Sequence, residues 1–215
     1  PRNKVAEFVK IAKEIVSSRY KDITNTDYTA IIDEKAYTRI KETRQDAIAR
    51  GAEVINLLNG VEFNDEKRKM SPHLVLNSTE DMLIMQEEIF GPLLPVIAYD
   101  NLEDVVDKIN QGDRPLAIYI YSDNKVSQQC VINNTMSGGI CINDSMLHVA
   151  QHDLPFGGIG NSGMGHYHGQ DGFTEFSKLR PIFKQAKLSL VLLMAPPYGK
   201  TFQRMTKSIL QWKLY

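Results

Sequence analysis

The stretch most informative about the fold is Glu87-Glu88-Ile89-Phe90-Gly91-Pro92, which places carboxylates, an aromatic ring and a tight turn within six residues. A carboxylate such as that of Glu88 or Glu87 can accept hydrogen bonds from both hydroxyls of a ribose, and such charge-assisted bonds are about twice as strong as neutral ones. The ring of Phe90 can lie against a flat heterocycle, and Gly91 before Pro92 permits a sharp turn beside a ligand. Taken alone, the six residues are explained more simply as an acidic turn between two strands, because short motif matches are often false positives.

Composition limits the class of protein. The 215 residues include 25 basic and 26 acidic side chains, which leaves a net charge of −1 and argues against electrostatic attraction to nucleic acid. The length suits one large domain, or one domain with an appendage. Cys130 and Cys141 are too few for a disulfide framework and lack metal-ligand spacing, which suits a reducing compartment or a protein indifferent to redox conditions. We predict a cytoplasmic protein. Small molecules and other protein chains are the partners that remain.

The sequence also limits membrane association and hints at a longer polypeptide. The longest apolar run is Leu188 to Ala195, far shorter than the roughly 20 residues that span a bilayer, so we predict a soluble protein without a membrane partner. The chain opens on Pro1 and passes at once into an amphipathic helix, with no strand before it. We interpret this as a piece of something longer, the alternative being a native start whose Met has been removed.

Apolar residues recur at helical spacing in several segments. The first predicted helix runs from Asn3 to Arg19, and the second runs from an N-cap at Asp33 to Arg50, with Gly51 where a terminating glycine belongs. The other predicted helices are Asn101 to Asn110, a segment capped by Asp123 that ends at Val131, and a basic terminal helix or tail from Tyr198 to Tyr215. The predicted strands are Glu53 to Leu58, Pro72 to Leu76, Leu93 to Tyr99, Leu116 to Tyr121, Ile140 to Asn143 and Thr174 to Ile182. Because helices and buried strands alternate from Asn101 to Asn143, we predict an α/β fold with a parallel open sheet flanked by helices.

Three chemical motifs fail on their context. Gly158-Ile159-Gly160-Asn161-Ser162-Gly163 matches the GxGxxG dinucleotide fingerprint, but Pro155 precedes it where a strand is needed and a glycine-rich run follows where a helix is needed. Ser162 lacks the strand-to-helix elbow of a hydrolase nucleophile. Four histidines prompt a metal hypothesis, yet no carboxylate or thiol cluster completes a ligand set, and we predict loop histidines without a metal; they are His148, His152, His166 and His168.

Two longer segments decide the interpretation when they are taken together. They are Met85 to Pro92, which contains the opening hexapeptide, and Leu154-Pro155-Phe156-Gly157-Gly158-Ile159-Gly160-Asn161-Ser162-Gly163-Met164-Gly165. In this order they resemble the aldehyde dehydrogenase superfamily. Further segments are similar to its class 3 branch, and to the coniferyl aldehyde dehydrogenases in particular: Ser137-Gly138-Gly139, Asn143-Asp144, Tyr167-His168-Gly169 and Phe173 to Ser177. The resemblance runs from Pro1 to about Gln185.

The resemblance implies roles for six side chains. Glu88 corresponds to the glutamate that binds the hydroxyls of the nicotinamide ribose, and Phe90 to the aromatic residue beside the nicotinamide of NAD or NADP. Phe156 corresponds to an aromatic residue of the cavity shared by substrate and nicotinamide. The family builds its substrate funnel where Asn143, Leu147 and His148 fall in this sequence. For Glu87 we predict an ion pair that supports the loop.

The resemblance also implies catalytic groups that these 215 residues do not contain. The family places its nucleophilic cysteine in a Gly-Gln-x-Cys loop and its base in a Glu-Leu-Gly-Gly segment, and neither string occurs here. Cys130 lies on a predicted helix, and Cys141 lies between isoleucines on an apolar strand where we expect an inert thiol that lines the substrate cavity. We therefore assign no catalytic residue. We expect the nucleophile loop and the Rossmann domain, which makes most contacts to NAD or NADP, to precede Pro1, and the chain alone to be inactive.

The resemblance suggests three regions and a homodimer. Residues 1–172 are predicted to form most of the catalytic α/β domain, 173–187 an oligomerisation strand that extends a sheet across the subunit interface, and 188–215 a tail or helix. One alternative is a stand-alone, non-catalytic binding or oligomerisation module derived from the enzyme, which the reading frame upstream of Pro1 would distinguish. Another is a serine hydrolase, for which a fluorophosphonate probe would label Ser162.

Overall fold

The computed structural model describes residues 1–187, 189 and 195–212, which divide into two compact units. The first unit contains 1–151 and 156–165, and the second contains 152–155 and the described part of 166–215. Of the predicted apolar run 188–195, all but Ser189 and Ala195 lie outside the described residues. The three regions predicted from the sequence stay a prediction.

The first unit alternates helices and strands along most of its length. Its α-helices are α1 (Val5–Arg19), α2 (Glu34–Ala49), α3 (Leu83–Gln86), α4 (Leu102–Gln111) and α5 (Lys125–Asn134). Its strands are β1 (Glu53–Asn56), β2 (Phe63–Asn64), β3 (Lys69–Met70), β4 (His73–Leu76), β5 (Leu93–Val96), β6 (Ala117–Ile120) and β7 (Gly139–Ile142). Short 3₁₀ turns occur at Arg2–Lys4, Leu147–Ala150 and Gly160–Ser162.

Side-chain caps start two of these helices. The carboxylate of Asp33 accepts a hydrogen bond from the amide of Ala36 at 2.7 Å, which satisfies one of the free amides at the start of α2 and confirms the predicted cap. The predicted cap of α5 was wrong by one residue. Asn124, not Asp123, accepts bonds from the amides of Val126 and Ser127 at 2.9 and 3.2 Å. The helix also continues past the predicted end at Val131 to Asn134.

The described strands form two parallel and two antiparallel pairs. Strand β4 pairs in parallel with β5, and β6 pairs in parallel with β7. Strand β1 adds to the other edge of β4 in the antiparallel direction, and β2 and β3 form a separate antiparallel hairpin. The predicted α/β class is confirmed, and the antiparallel edge strand is an addition to it, of a kind that mixed sheets commonly carry.

Two apolar cores hold the first unit together. The larger core lies between α2 and the β1-β4-β5 sheet and contains Tyr37, Ile40, Val75 and Leu93, all under 5% exposed. The smaller core lies between the β6-β7 pair and helices α4 and α5, around Val106, Ile120 and Val131. The apolar face of α1 is less covered, and Phe8, Ile11 and Ile15 are each 44% exposed.

The second unit corrects one predicted strand. Helix α6 spans Gly169–Glu175, so Thr174 and Glu175 end a helix and do not begin the strand predicted to Ile182. Local bonds stabilise this turn: the Thr174 hydroxyl donates to the carbonyl of Gln170, and the Phe176 amide donates to the carbonyl of Gly172. Residues 178–187 form no strand within the described chain, as expected when no neighbouring strand satisfies their backbone groups.

The terminal segment contains α7 (Lys200–Trp212). This agrees with the helix predicted between Tyr198 and Tyr215, whose last three residues lie outside the described chain. Among the described helices, none is long and apolar enough to cross a membrane.

Candidate cofactor and substrate site

The loop that links α3 to β5 carries the opening hexapeptide. Its backbone is fixed at both ends by neighbouring elements. The guanidinium of Arg39, on α2, donates to the carbonyls of Glu88 at 3.2 Å and Ile89 at 2.7 Å. At the other end the amide of His73, on β4, donates to the carbonyl of Pro92 at 2.8 Å. The loop is therefore attached to a helix before Phe90 and to the sheet after it.

The two predicted cofactor residues of this loop both present their side chains to solvent. Glu88 is exposed, and Phe90 is 79% exposed with a φ of 43°. A bulky residue rarely adopts such a left-handed backbone, which is strained without glycine. The structure thus holds a large aromatic ring outward in an unfavourable conformation, next to a carboxylate.

Glu87 makes the supporting contact that was predicted for it. Its carboxylate lies 3.9 Å from the Arg39 guanidinium, and the two side chains are 56% and 31% exposed. An ion pair at this distance and exposure contributes little to stability. The stronger attachment of Arg39 is therefore to the loop carbonyls.

A polar cluster around the buried His73 lies next to the point where β4 meets the loop. His73 is fully buried, and its Nε2 and the Nη2 of Arg44 each lie 2.5 Å from the same carboxylate oxygen of Glu62. Burial lowers the pKa of His73, and this effect outweighs the opposing effect of Glu62. A neutral imidazole that donates from Nε2 to Glu62 fits this arrangement. The cluster joins α2 and β4 beside the point where Pro92 is bound.

Two of the residues predicted for the substrate cavity, His148 and Phe156, form an aromatic row with Tyr119 on one face of the β6-β7 pair. Side chains alternate between the faces of a strand, so Tyr119 and its register partner Cys141 lie opposite the face that packs on α4 and α5. The ring of His148 packs edge-on against Tyr119 at 5.8 Å, and against Phe156 at 5.7 Å. Both ring nitrogens of His148 are buried and have no hydrogen-bond partner among the described residues.

Glycines allow this row to form. A Cβ at Gly138 would lie 2.1 Å from the carbonyl oxygen of Gly157 and 2.7 Å from that of Leu116. A Cβ at Gly139 would lie 3.1 Å from Cδ2 of His148. Two of the motifs that carry the family resemblance thus meet at their backbones, where side chains would prevent contact.

Asn143 and Leu147 differ in their surroundings. The carbonyl oxygen of the Asn143 side chain accepts a bond from the amide of Ser122 at 2.8 Å, and its backbone has a φ of 56°. Its side-chain amide is therefore engaged in closing the turns after β6 and β7. Leu147 is 56% exposed at the start of a 3₁₀ turn.

The cysteines and the remaining motif residues serve local structure. Both thiols are free and half-buried, so Cys141 is less covered than the buried strand predicted for it. The Ser162 hydroxyl donates to the carbonyl of Ile159 at 3.0 Å and accepts from its amide at 2.9 Å. A Cβ at Gly158 would lie 2.1 Å from the carbonyl of Ser162, so the glycines close this loop on itself.

The histidines of the second unit make contacts of ordinary kinds. The rings of His152 and His168 pack at 5.7 Å, and His166 lies 3.5 Å from a carboxylate oxygen of Asp171. Within the described chain, no three His, Cys, Asp or Glu side chains are grouped so that they could hold a metal ion.

Comparison with known proteins identifies the family. The aldehyde dehydrogenase family model matches residues 2–182. The chain belongs to the aldehyde dehydrogenase family. It is 46% identical over 206 residues to a probable coniferyl aldehyde dehydrogenase of Pseudomonas aeruginosa, an alignment that covers 95% of this chain and 42% of that relative. It is 37% identical to the coniferyl aldehyde dehydrogenase of a Pseudomonas species, covering 98% of this chain and 44% of that protein.

A solved structure shows the same fold. The substrate-bound AldH of Staphylococcus aureus superposes with a TM-score of 0.79 at 32% identity, covering 97% of this chain and 44% of the other. The chain therefore spans less than half the length of these relatives.

Two residues of the site were missed by the sequence reasoning. Arg39 stands on an amphipathic helix, and nothing in its spacing indicates a contact with a loop that begins about 50 residues later. Tyr119 could have been found, because strand alternation places it on the face shared with Cys141.

Proposed function

We propose that this chain forms part of the catalytic domain of an NAD(P)-dependent aldehyde dehydrogenase that oxidises an aldehyde to the carboxylic acid. In this proposal Glu88 accepts hydrogen bonds from the hydroxyls of the nicotinamide ribose, and Phe90 packs beside the nicotinamide ring. When bound, NAD or NADP supplies the hydride acceptor. Glu88 and Phe90 suit that group, because an exposed carboxylate can accept hydrogen bonds from the ribose diol and an exposed aromatic ring can pack against a flat heterocycle.

The observation that carries the proposal is the outward, left-handed Phe90. Holding a non-glycine residue in this region costs on the order of 1–3 kcal/mol, and exposure of the ring brings no compensating burial. Folding alone would favour glycine or asparagine here. A ligand that covers the ring supplies a reason for the strain.

The aromatic row next to β6 and β7 supports the proposal of a binding site for the substrate. Tyr119, His148 and Phe156 stack edge to face, an arrangement that extends readily to another aromatic ring. We propose that this row, with Leu147, lines the route to the aldehyde, and that Asn143 holds the adjoining turn. Coniferyl aldehyde or another aromatic aldehyde is the proposed substrate class, which the names of the Pseudomonas relatives also suggest.

The chemistry needs groups that these residues do not supply. Aldehyde oxidation requires an activated thiolate and a base, and we propose that neither Cys130 nor Cys141 serves as the nucleophile. Cys130 contributes to the α4/α5 core, and Cys141 lies on a strand beside Tyr119. The 215-residue chain by itself is therefore proposed to be inactive, because loss of a nucleophile lowers rates by many powers of ten.

We further propose a cytoplasmic homodimer. The two free thiols suit a reducing compartment. In the second unit, 178–187 is exposed and forms no strand within the described chain. Large apolar side chains in and next to this segment are each at least 70% exposed: Phe176, Leu179, Ile182 and Phe183. A segment of this kind can pair with the sheet edge of a second subunit.

Steady-state assays of the full-length protein encoded by the reading frame that contains this chain test the proposal. The protein should reduce NAD or NADP in the presence of coniferyl aldehyde, and the 215-residue chain should not. If the full-length protein oxidises no aldehyde, aromatic or aliphatic, with either cofactor, the proposed function is wrong.

A further inference from the structure

We infer that Arg39 is a positioning residue, whose guanidinium holds the backbone of the 87–92 loop so that Glu88 and Phe90 face the cofactor. This inference rests on the proposed function of Glu88 and Phe90. Arg39 is not offered as a cofactor ligand, because its recorded contacts are to the loop itself.

The contacts of Arg39 are two hydrogen bonds to successive carbonyls. Its Nη1 lies 3.2 Å from the oxygen of Glu88, and its Nη2 lies 2.7 Å from the oxygen of Ile89. A guanidinium presents several donors in a rigid fork, so it can hold two neighbouring acceptors at once. The side chain is only 31% exposed, so these bonds are partly shielded from water, which strengthens them.

Within the loop, Ile89 packs against the larger core, but the two proposed cofactor residues lack such an anchor of their own. Glu88 and Phe90 both face solvent, and Phe90 adopts a backbone conformation that favours glycine. Released from outside restraint, Phe90 would relax toward a more populated conformation and carry its ring and the neighbouring carboxylate elsewhere. The bonds from Arg39 fix the two carbonyls that directly precede Phe90.

The helix that carries Arg39 is itself well anchored. The next residue, Ile40, is fully buried and packs against Gly91, where a Cβ would lie 2.3 Å from its Cδ1. Successive residues of α2 thus contact the loop on both sides of Phe90. Arg39 and Ile40 therefore fix the loop, with the two proposed cofactor residues, to a rigid helix.

The experiment compares three variants of the full-length protein encoded by the reading frame that contains this chain. Arg39→Met removes the donors and keeps an apolar stem, Arg39→Lys keeps the charge but not the fork, and Lys35→Met removes a cation from an exposed position on the same helix. Hydrogen exchange of the Glu88 to Gly91 amides measures loop order, and titration with NAD and NADP measures cofactor affinity. Thermal unfolding monitors the fold as a whole.

Arg39→Met should speed exchange in 88–91 and weaken cofactor binding, each by about tenfold, the factor expected for a lost hydrogen bond to a charged group. Arg39→Lys should recover part of both effects, and Lys35→Met should change neither. Unchanged exchange in 88–91 of Arg39→Met would overturn the inference. So would equal acceleration of exchange across the whole protein, since that reports general destabilisation.

Combination with Glu88→Gln separates this inference from the proposed function. If Arg39 acts through Glu88 and Phe90, Arg39→Met should weaken cofactor binding less in the Glu88→Gln background than in the parent. If Glu88→Gln leaves cofactor affinity unchanged while Arg39→Met still loosens 88–91, the assignment of Glu88 fails and the positioning of the loop by Arg39 stands.

Discussion

Gly91 and Ile40 are in direct contact, and a Cβ on Gly91 would lie 2.3 Å from Cδ1 and 3.0 Å from Cγ1 of Ile40. Ile40 is fully buried in the larger core, between α2 and the sheet. The glycine of the hexapeptide is therefore required by packing, because any side chain there would displace a core residue. This contact connects the exposed loop to the interior of the domain.

Replacement of Gly91 by alanine should lower the free energy of unfolding by about 1–3 kcal/mol, the usual cost of overpacking a core. Chemical denaturation of the parent and variant measures this. Ile40→Val removes the clashing Cδ1 and should by itself cost about 0.5–1.5 kcal/mol. The double variant should lose less stability than the sum of the losses in the two single variants. Additive losses would show that the two positions do not clash.

Gly138→Ala and Gly139→Ala should differ in severity although they are neighbours. At Gly138 the new methyl group would meet two backbone carbonyls, at 2.1 and 2.7 Å, whereas at Gly139 it would meet the His148 ring at 3.1 Å. A side chain can shift and a backbone cannot do so cheaply. We expect Gly138→Ala to cost about 3 kcal/mol or more and Gly139→Ala about 1 kcal/mol or less, measured by denaturation. Equal costs would contradict the backbone crossing described here.

Acid should destabilise the fold through His73. Because burial lowers the pKa of His73 in the folded protein, the unfolded chain binds a proton first as the pH falls through about 6.5. Stability is then lost progressively until the pH reaches the lowered pKa of the folded state. The free energy of unfolding should decrease from pH 7 toward pH 5, as measured by urea denaturation across that range.

The control compares how steeply the free energy of unfolding changes with pH, because substitution of a buried side chain also changes the free energy itself. His73→Gln keeps a donor for Glu62 and should flatten the dependence on pH in this window. A slope that survives in His73→Gln would assign the acid sensitivity to other groups.

The exposed apolar side chains of 176–187 should matter for assembly. Leu179 is 70% exposed, and Leu179→Asp should raise the dissociation constant of a dimer by about tenfold or more, since burying an unpaired charge costs more than 1.4 kcal/mol. Lys178→Asp changes a neighbouring exposed residue and is the matched control. Light scattering of the full-length protein over a concentration series distinguishes monomer from dimer. If the two variants had the same dimer dissociation constant, pairing through this segment would be contradicted.

Local chemistry made much of the fold predictable. Asp33 and Gly51 bound α2 as expected, because a capping carboxylate and a left-handed glycine act over one helical turn. The strand predicted from Thr174 was wrong because a strand depends on a distant partner and not on local contacts. Its β-forming side chains need a neighbouring strand, and without one in the described chain the local helical bonds of Thr174 prevail.

The sequence proposed loop residues for the candidate site but not the contacts that hold the loop, and the cofactor role of those residues stays a prediction. Glu88 and Phe90 were found through a motif, and their exposure agrees with a role in binding. The contacts of Arg39, and the packing of Ile40 on Gly91, join segments about 50 residues apart. Such contacts follow from tertiary packing, which the periodicity of one sequence does not encode.

Glu88→Gln tests the central claim most directly, with Glu87→Gln as its matched control. The two substitutions remove the same charge from adjacent exposed positions of one loop. In the full-length protein Glu88→Gln should weaken binding of NAD or NADP by about tenfold, through loss of charge-assisted bonds to the ribose. Glu87→Gln should weaken it by less than about twofold, because its ion pair with Arg39 is long and exposed. Equal cofactor affinities for the two variants, measured by calorimetric titration, would contradict the assignment of Glu88.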